Sequence, residues 1–290
     1  MLIKNMSGMK IQHLLKLSFF LLFYIPSLVL SQTQDSLKIV QANWNKKQIK
    51  NGVIWNQGHF ENLFNSVQEI NWVEIDLKKH KNRIHIAAEP SSLKITSDFA
   101  QENQASVAIN ASFFDMKNGG SVDYVKVNNK TINSGKKENQ NVRANAVFTI
   151  EKKSVGIKQA SKIAVEESKA GSILVAGPLL IEENEYVSLN KNAFNDNRHP
   201  RTAVAITGEN KLIFMVVDGR SNQANGMNLQ ELSKVFKWLG ARDAMNLDGG
   251  GSSTLYIKNA TTSGVVNYPS DNKKFDHDGQ RSVANIIYLK

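Results

Sequence analysis

Residues 246–253 read N-L-D-G-G-G-S-S, and no other eight-residue stretch of the chain offers as much chemistry. Gly249, Gly250 and Gly251 leave the backbone free to take φ > 0 and let a ligand approach closely. Glycine weakens a strand and packs nothing, so three in a row between apolar residues have no structural return. Successive N–H groups of such a turn can converge into an anion-binding nest, with the hydroxyls of Ser252 and Ser253 as further donors. Asp248 adds a fixed negative charge at its mouth. Taken alone, Asp-Gly is also the ordinary signal of a hairpin turn, so the reading depends on what else the chain supplies.

It supplies three more segments. Asp218-Gly219-Arg220 closes an apolar run, so a carboxylate and a guanidinium emerge together at the rim of a core. Asp218 could simply cap a turn. Asp248 follows an apolar run in the same way, and two carboxylates at equivalent strand ends can divide acid, base and nucleophile roles. Arg198-His199-Pro200-Arg201-Thr202 enters the next strand. Arg201, adjoining that strand, is the better candidate for gripping a phosphate, with Thr202 beside it. Arg198 reads as the structural partner of Asp196 or a neighbouring carboxylate, and His199 as an incidental loop histidine. In N-A-S-F-F-D (residues 110–115), Asn110 or Asp115 points to the cleft while the aromatic pair packs inward. Asn110-Ala111-Ser112 matches a glycosylation acceptor, but its place at the end of a buried strand argues against modification.

These segments need elements to carry them. Residues 72–77 and 83–88 alternate as strands joined by a Lys/His-rich turn, and 95–102 is a short helical candidate. Further strands are expected at 106–110, 123–127, 144–150 and 173–176. Residues 202–207 and 212–217 form the clearest hairpin; both arms are apolar throughout, so it belongs at the centre of a sheet covered on both faces. The best helix spans 229–239, with an apolar face, a capping box from Asn228 and Glu231, and Gly240 at its end. Short strands outnumber helices. The fold class is α+β, a single domain on a mixed, mainly antiparallel sheet with a few packed helices.

Lys10 and Lys16 precede an apolar run that ends in V-L-S, the pattern of a secretory signal peptide over residues 1–31. A polar lead (32–52) and one domain (53–290) follow. The protein is therefore expected to be exported, periplasmic or secreted, with no stable membrane insertion after cleavage. There is no cysteine, so a disulfide framework, a thiolate metal site and a cysteine nucleophile are all excluded. A core must do that work instead. Residues 1–31 hold three lysines and no acid, so the formal charge of +10 falls to +7. The lysine pairs (Lys46-Lys47, Lys78-Lys79, Lys152-Lys153) are scattered and form no aromatic-interleaved stripe, so nucleic acid is not the expected partner.

Together the four segments resemble the phosphodiester glycosidase family, typified by the enzyme that removes the N-acetylglucosamine capping mannose 6-phosphate. D-G-R, then a Gly-Met-x-Leu-x-Glu-Leu helix start (226–232), then N-L-D-G-G-G-S-S is a specific combination. V-N-Y-P-S (266–270) and R-S-V-A-N (281–285) look like its closing segments, and the resemblance runs from about Trp72 to Lys290. One departure is Ala111-Ser112, where the family usually has two glycines, which leaves the sugar preference open. The resemblance implies hydrolysis of a sugar 1-phosphodiester at the anomeric carbon, in exported or envelope glycans. Asp218, Asp248 and Arg220 would be catalytic. Asn110, Arg201, Thr202, Gly249, Gly250, Gly251, Ser252 and Ser253 would bind substrate. No cofactor is expected. Two rivals stand: a non-catalytic binder of anionic glycan, and a metal-dependent phosphodiesterase with Asp218, Asp248 and Asn246 as ligands.

Overall fold

The computed structural model describes residues 34–135, 143–152, 154–162, 165–166 and 168–290. The expected signal peptide lies outside the described residues. Three sheets form, and every strand pair in them is antiparallel. The largest runs β1 (Asn45–Lys50), β2 (Val53–Phe60), β3 (Gln68–Asp76), β14 (Lys211–Val217), β13 (Arg201–Thr207), β15 (Ala241–Asn246), β11 (Leu179–Glu182), β12 (Glu185–Tyr186). A five-stranded sheet runs β7 (Lys130–Asn133), β6 (Val125–Val127), β10 (Ser172–Ala176), β8 (Ala146–Ile150), β9 (Val155–Gln159). The third is β16 (Leu255–Ile257), β5 (Val107–Asn110), β17 (Asn285–Leu289), β4 (Ile84–Ala88). The α+β reading stands, with its antiparallel strands distributed over three sheets.

Alternation decides the layering. Leu212, Phe214 and Val216 of β14 join Val204 and Ile206 of β13 in a core shared with both smaller sheets. Their neighbours Ile213, Met215, Val217, Ala203 and Ala205 face the opposite way, onto α1 (Gln34–Val40) and α5 (Leu229–Trp238). The hairpin is thus covered on both faces, as its unbroken apolar arms require. The far face of the four-stranded sheet is covered by α3 (Thr96–Glu102) through Phe99 and Ala100. Each fully buried side chain of this size contributes about 1.5–3 kcal/mol.

The Lys/His-rich turn expected between the strands at 72–77 and 83–88 is built by α2 (Leu77–His80), capped by the Asp76 carboxylate, and a 3₁₀ turn, after which β4 pairs in a different sheet from β3. The polar lead is also structured, because Ile39 and Trp44 are buried against the large sheet. Only two apolar anchors in a polar run leave little periodic signal.

The capping box of α5 is present, and Glu231 has a second partner. Arg198 donates to its carboxylate from Nε (3.2 and 3.1 Å) and from a terminal nitrogen (2.6 Å). Arg198 is therefore structural, its partner Glu231 rather than Asp196. Glu231→Ala removes the cap and strands the guanidinium, so we expect a loss of about 2–3 kcal/mol in denaturant unfolding.

Candidate active site

The site is set by strand order. β13 lies between β14 and β15 and is antiparallel to both, so both neighbours end at the edge where β13 begins. Val217 pairs with Arg201, and Leu247 N–H donates to Thr202 O at 2.8 Å. Asp218 and Asp248 therefore stand on either side of Pro200-Arg201, with backbones about 10 Å apart, two strand spacings. β5 approaches the same edge: Asp248 N–H donates to Ala111 O at 2.8 Å.

Asp218 is 1% exposed. Its Oδ1 accepts from Asn267 Nδ2 (2.8 Å) and Tyr268 N–H (2.9 Å), while its Oδ2 is buried with no hydrogen-bond partner. Burial raises its pKa to about 7, opposed by those two hydrogen bonds and reinforced by Glu69. Asp248 is half-buried, and desolvation raises its pKa to about 6 against the Ser252 hydroxyl, Arg143 and Arg281, which favour its anion. Ser252 Oγ lies near enough to influence Asp248 but makes no hydrogen bond of ordinary geometry. Both carboxyls are held near neutrality by the same cause, and Asp218 holds its proton more tightly.

Arg220 is exposed and makes no ion pair or hydrogen bond among the described residues; its φ is +64°. Its guanidinium lies against the glycine turn, where a Cβ on Gly250 would sit 3.0 Å from a terminal nitrogen. Gly250 itself has φ +64°, so both reasons call for glycine. Gly251 is covered by the Arg281–Asp271 ion pair, and an added Cβ would lie 2.5 Å from the Asp271 carboxylate.

Several donors of the glycine turn are engaged within the fold. Gly250 N–H donates to Pro200 O, Ser252 N–H to Gly249 O and Ser253 N–H to Gly250 O, so most of the turn's donors face the fold. What it presents instead are side chains: Ser252 Oγ, Ser253 Oγ and Thr254 Oγ1 are buried and unpartnered, as is Asn246 Oδ1. Asn267 ties them to the acid, since its Nδ2 donates to both Asp218 Oδ1 and Ser253 O.

Arg201 is engaged within the fold. It is 1% exposed, and it donates to the carbonyls of Met227 (2.8 Å), Phe194 (2.7 Å) and Asn197 (2.9 Å). It clamps the loops around the site, and its charge, with that of Arg220, lowers the pKa of His199 after burial does. Thr202 and Asn110 are fully buried. The Thr202 hydroxyl donates to Asn110 Oδ1 (2.7 Å), and Asn110 Nδ2 donates to Asp248 O (2.7 Å). They hold Asp248 in place from below, and the burial of Asn110 leaves no room for glycosylation there. Asp115 accepts from Lys117 N–H and Asn118 N–H, capping a turn.

Asn267, Arg143 and Arg281 were not singled out from sequence. Asn267 and Arg281 sit in the two closing segments, where resemblance alone offered a signal. Arg143 stacks 4.0 Å over the Phe113 ring, with nothing around it in the chain to mark it. Among the described residues, no three His, Asp or Glu side chains converge to hold a metal ion.

The phosphodiester glycosidase profile matches residues 103–290, and the chain belongs to that family. It is 41% identical over 71 residues to mouse (Mus musculus) N-acetylglucosamine-1-phosphodiester alpha-N-acetylglucosaminidase, an alignment covering 24% of this chain and 13% of the mouse protein. A Bacillus subtilis prophage-derived protein, YomE, is 34% identical over 61 residues, 21% of this chain and 10% of its own length. The fold matches the zebrafish catalytic domain of N-acetylglucosamine-1-phosphodiester alpha-N-acetylglucosaminidase, auto-inhibited by its pro-peptide, with TM-score 0.64 at 20% identity over 84% of this chain and 85% of that one. Among the described residues, no helix is long and apolar enough to cross a membrane.

Proposed function

We propose that the protein hydrolyses the anomeric bond of a sugar 1-phosphodiester in exported or envelope glycans. N-acetylglucosamine, named in the mouse relative, is the first sugar to test. The observation that carries this reading is Asp218 Oδ2, a buried carboxylate oxygen with no partner, grouped with the unpartnered hydroxyls of the glycine turn. Buried polar atoms are nearly always bonded. A set left open at one strand edge has the chemistry to receive the oxygens of a sugar phosphate.

Asp248, the more acidic and more accessible carboxyl, attacks C1 or takes the proton of an attacking water. Asp218, still protonated near neutrality, passes its proton from Oδ2 to the departing phosphate oxygen. Water's hydroxyl ends on C1 and the leaving group departs as a phosphomonoester. That group is a weak base, so charge stabilisation outweighs proton donation. Arg220, unpaired and exposed, meets the phosphate.

Purified protein incubated with an activated sugar 1-phosphodiester should release free sugar with time; binding without release would leave only a glycan-binding role. Arg220→Lys keeps the charge but loses the planar fork, and should cost about 100-fold in kcat/KM. The pH profile of kcat/KM should be a narrow bell. Its acid limb lies near 6, where Asp248 must ionise, and its alkaline limb near 7, where Asp218 must keep its proton. A flat profile from pH 5 to about 9 would remove both carboxyls from the chemistry.

A further inference from the structure

The carboxyl proposed to protonate the leaving group is held by a loop. Asp218 Oδ1 accepts twice, from Asn267 Nδ2 (2.8 Å) and from Tyr268 N–H (2.9 Å). With two N–H donors on that oxygen, the proton of the neutral acid belongs on Oδ2, the oxygen without a partner. Both donors come from the V-N-Y-P-S segment, and residues 266–282 form no helix or strand. Contacts within the loop must therefore fix where those donors stand.

One residue touches both donors' carriers. His277 Nδ1 lies 2.7 Å from Asn267 O, and a carbonyl only accepts, so that nitrogen carries the proton. The imidazole also stacks on Tyr268, centroids 4.6 Å apart at 22°, and Phe275 stacks on the same phenol ring at 3.9 Å and 12°. Asp276, next to His277 in the chain, accepts from Asn272 Nδ2 (2.8 Å) and Asp278 N–H (3.0 Å). The loop is closed at its base: Asp271 N–H donates to Gly279 O (3.2 Å), and the Asp271 carboxylate accepts from Arg281 Nε (2.8 Å). Asn267 Oδ1 accepts from Leu255 N–H (2.8 Å), which leaves its Nδ2 turned toward Asp218.

We propose that His277 is a positioning residue for Asp218, acting through its hydrogen bond to Asn267 O: it fixes the two donors on Oδ1 and so keeps Oδ2 aimed at the departing phosphate oxygen. This rests on the acid role proposed above for Asp218. The two donors also favour the carboxylate over the neutral acid, against the burial that raises its pKa. Loosening them should misplace the proton and make Asp218 harder to ionise.

Two variants separate the hydrogen bond from the ring. His277→Phe keeps a ring beside Tyr268 and loses the donor; His277→Asn loses the ring and places an amide nitrogen where Nδ1 stood. In His277→Phe, kcat should fall about tenfold, and the alkaline limb of the kcat/KM profile should rise from near 7 by about half a pH unit or more. His277→Asn should recover most of both. The other ionisable groups facing Asp218 are the Glu69 carboxylate of β3 and the Tyr268 phenol; these, with Asp248 and Arg220, are the same in both variants. Circular dichroism melting checks folding, and if His277→Phe does not fold, His277→Leu, also without a donor, takes its place. A limb that does not move in the donorless variant, whatever happens to kcat, overturns the proposal, and so does an equal shift in His277→Asn. If wild type cleaves no sugar 1-phosphodiester, the reaction is wrong, and the positioning is read without turnover. The Tyr268 amide, followed by NMR after 15N-tyrosine labelling, should titrate with Asp218, and at higher pH in His277→Phe than in wild type; equal midpoints overturn it.

Discussion

Asp218→Asn is expected to lower kcat by about three orders of magnitude while raising the melting temperature at pH 8. The two effects share one cause. The folded pKa of Asp218, about 7, lies above its ordinary value of 3.8 because the carboxyl is buried. Its contribution to stability is therefore fully present below the ordinary value and lost as pH rises through about 7. At pH 8 the wild type carries a buried charge that costs on the order of a few kcal/mol. The amide keeps an oxygen to accept from Asn267 and Tyr268 and carries no charge, at a cost of about 1–3 kcal/mol for its unpartnered nitrogen. The variant should gain on the wild type at pH 8 and lose that advantage at pH 5. A melting-temperature difference that ignores pH, or activity near wild type, would reject the assignment. Lost rate with gained stability is the usual trade at a strained site.

Asp248→Asn should be the more damaging to rate, about 1,000- to 10,000-fold in kcat, with a smaller gain in stability at pH 8 than Asp218→Asn gives. Burial raises the Asp248 pKa to about 6, less far than that of Asp218, because the Ser252 hydroxyl, Arg143 and Arg281 favour its anion, so the fold gains less from removing this charge. What disappears is the group that must be anionic to attack C1 or activate water. Any residual rate should lack the acid limb near 6. In Asp248→Ala, added azide should restore turnover if the lost carboxylate is the nucleophile, because a small anion can occupy the space the side chain leaves. Single-turnover assays with and without azide read this directly; full activity in the variant would leave the mechanism without its base.

Particular residues show how far sequence reasoning reached. The hairpin at 202–217 and the helix at 229–239 were legible because apolar periodicity and a capping box are local signals. The strand-end positions of Asp218, Arg220 and Asp248 were legible because each closes or follows an apolar run. Arg201 shows the opposite. Its place beside the strand suggested a phosphate ligand, yet three backbone carbonyls hold it, two of them only four and seven residues away in the chain. Nothing local distinguishes a guanidinium bonded to backbone oxygens from one aimed at a ligand. The glycine turn is similar: the N–H groups of Gly250, Ser252 and Ser253 are taken up by Pro200 O and by the turn itself, while the Ser252 and Ser253 hydroxyls are buried without partners.

Residue order alone determined the kinds of groups available: two carboxylates, an arginine and a bare glycine turn, each at the end of an apolar run, in a chain without cysteine. Tertiary structure decided which of them meet. Placing β13 between β14 and β15 brings residues 30 positions apart to one edge, and Asn267 then closes the site from a segment later still. Strand order and burial are collective outcomes of packing three sheets on one another. They set the desolvation that moves both carboxyls toward neutrality, which no window of sequence contains.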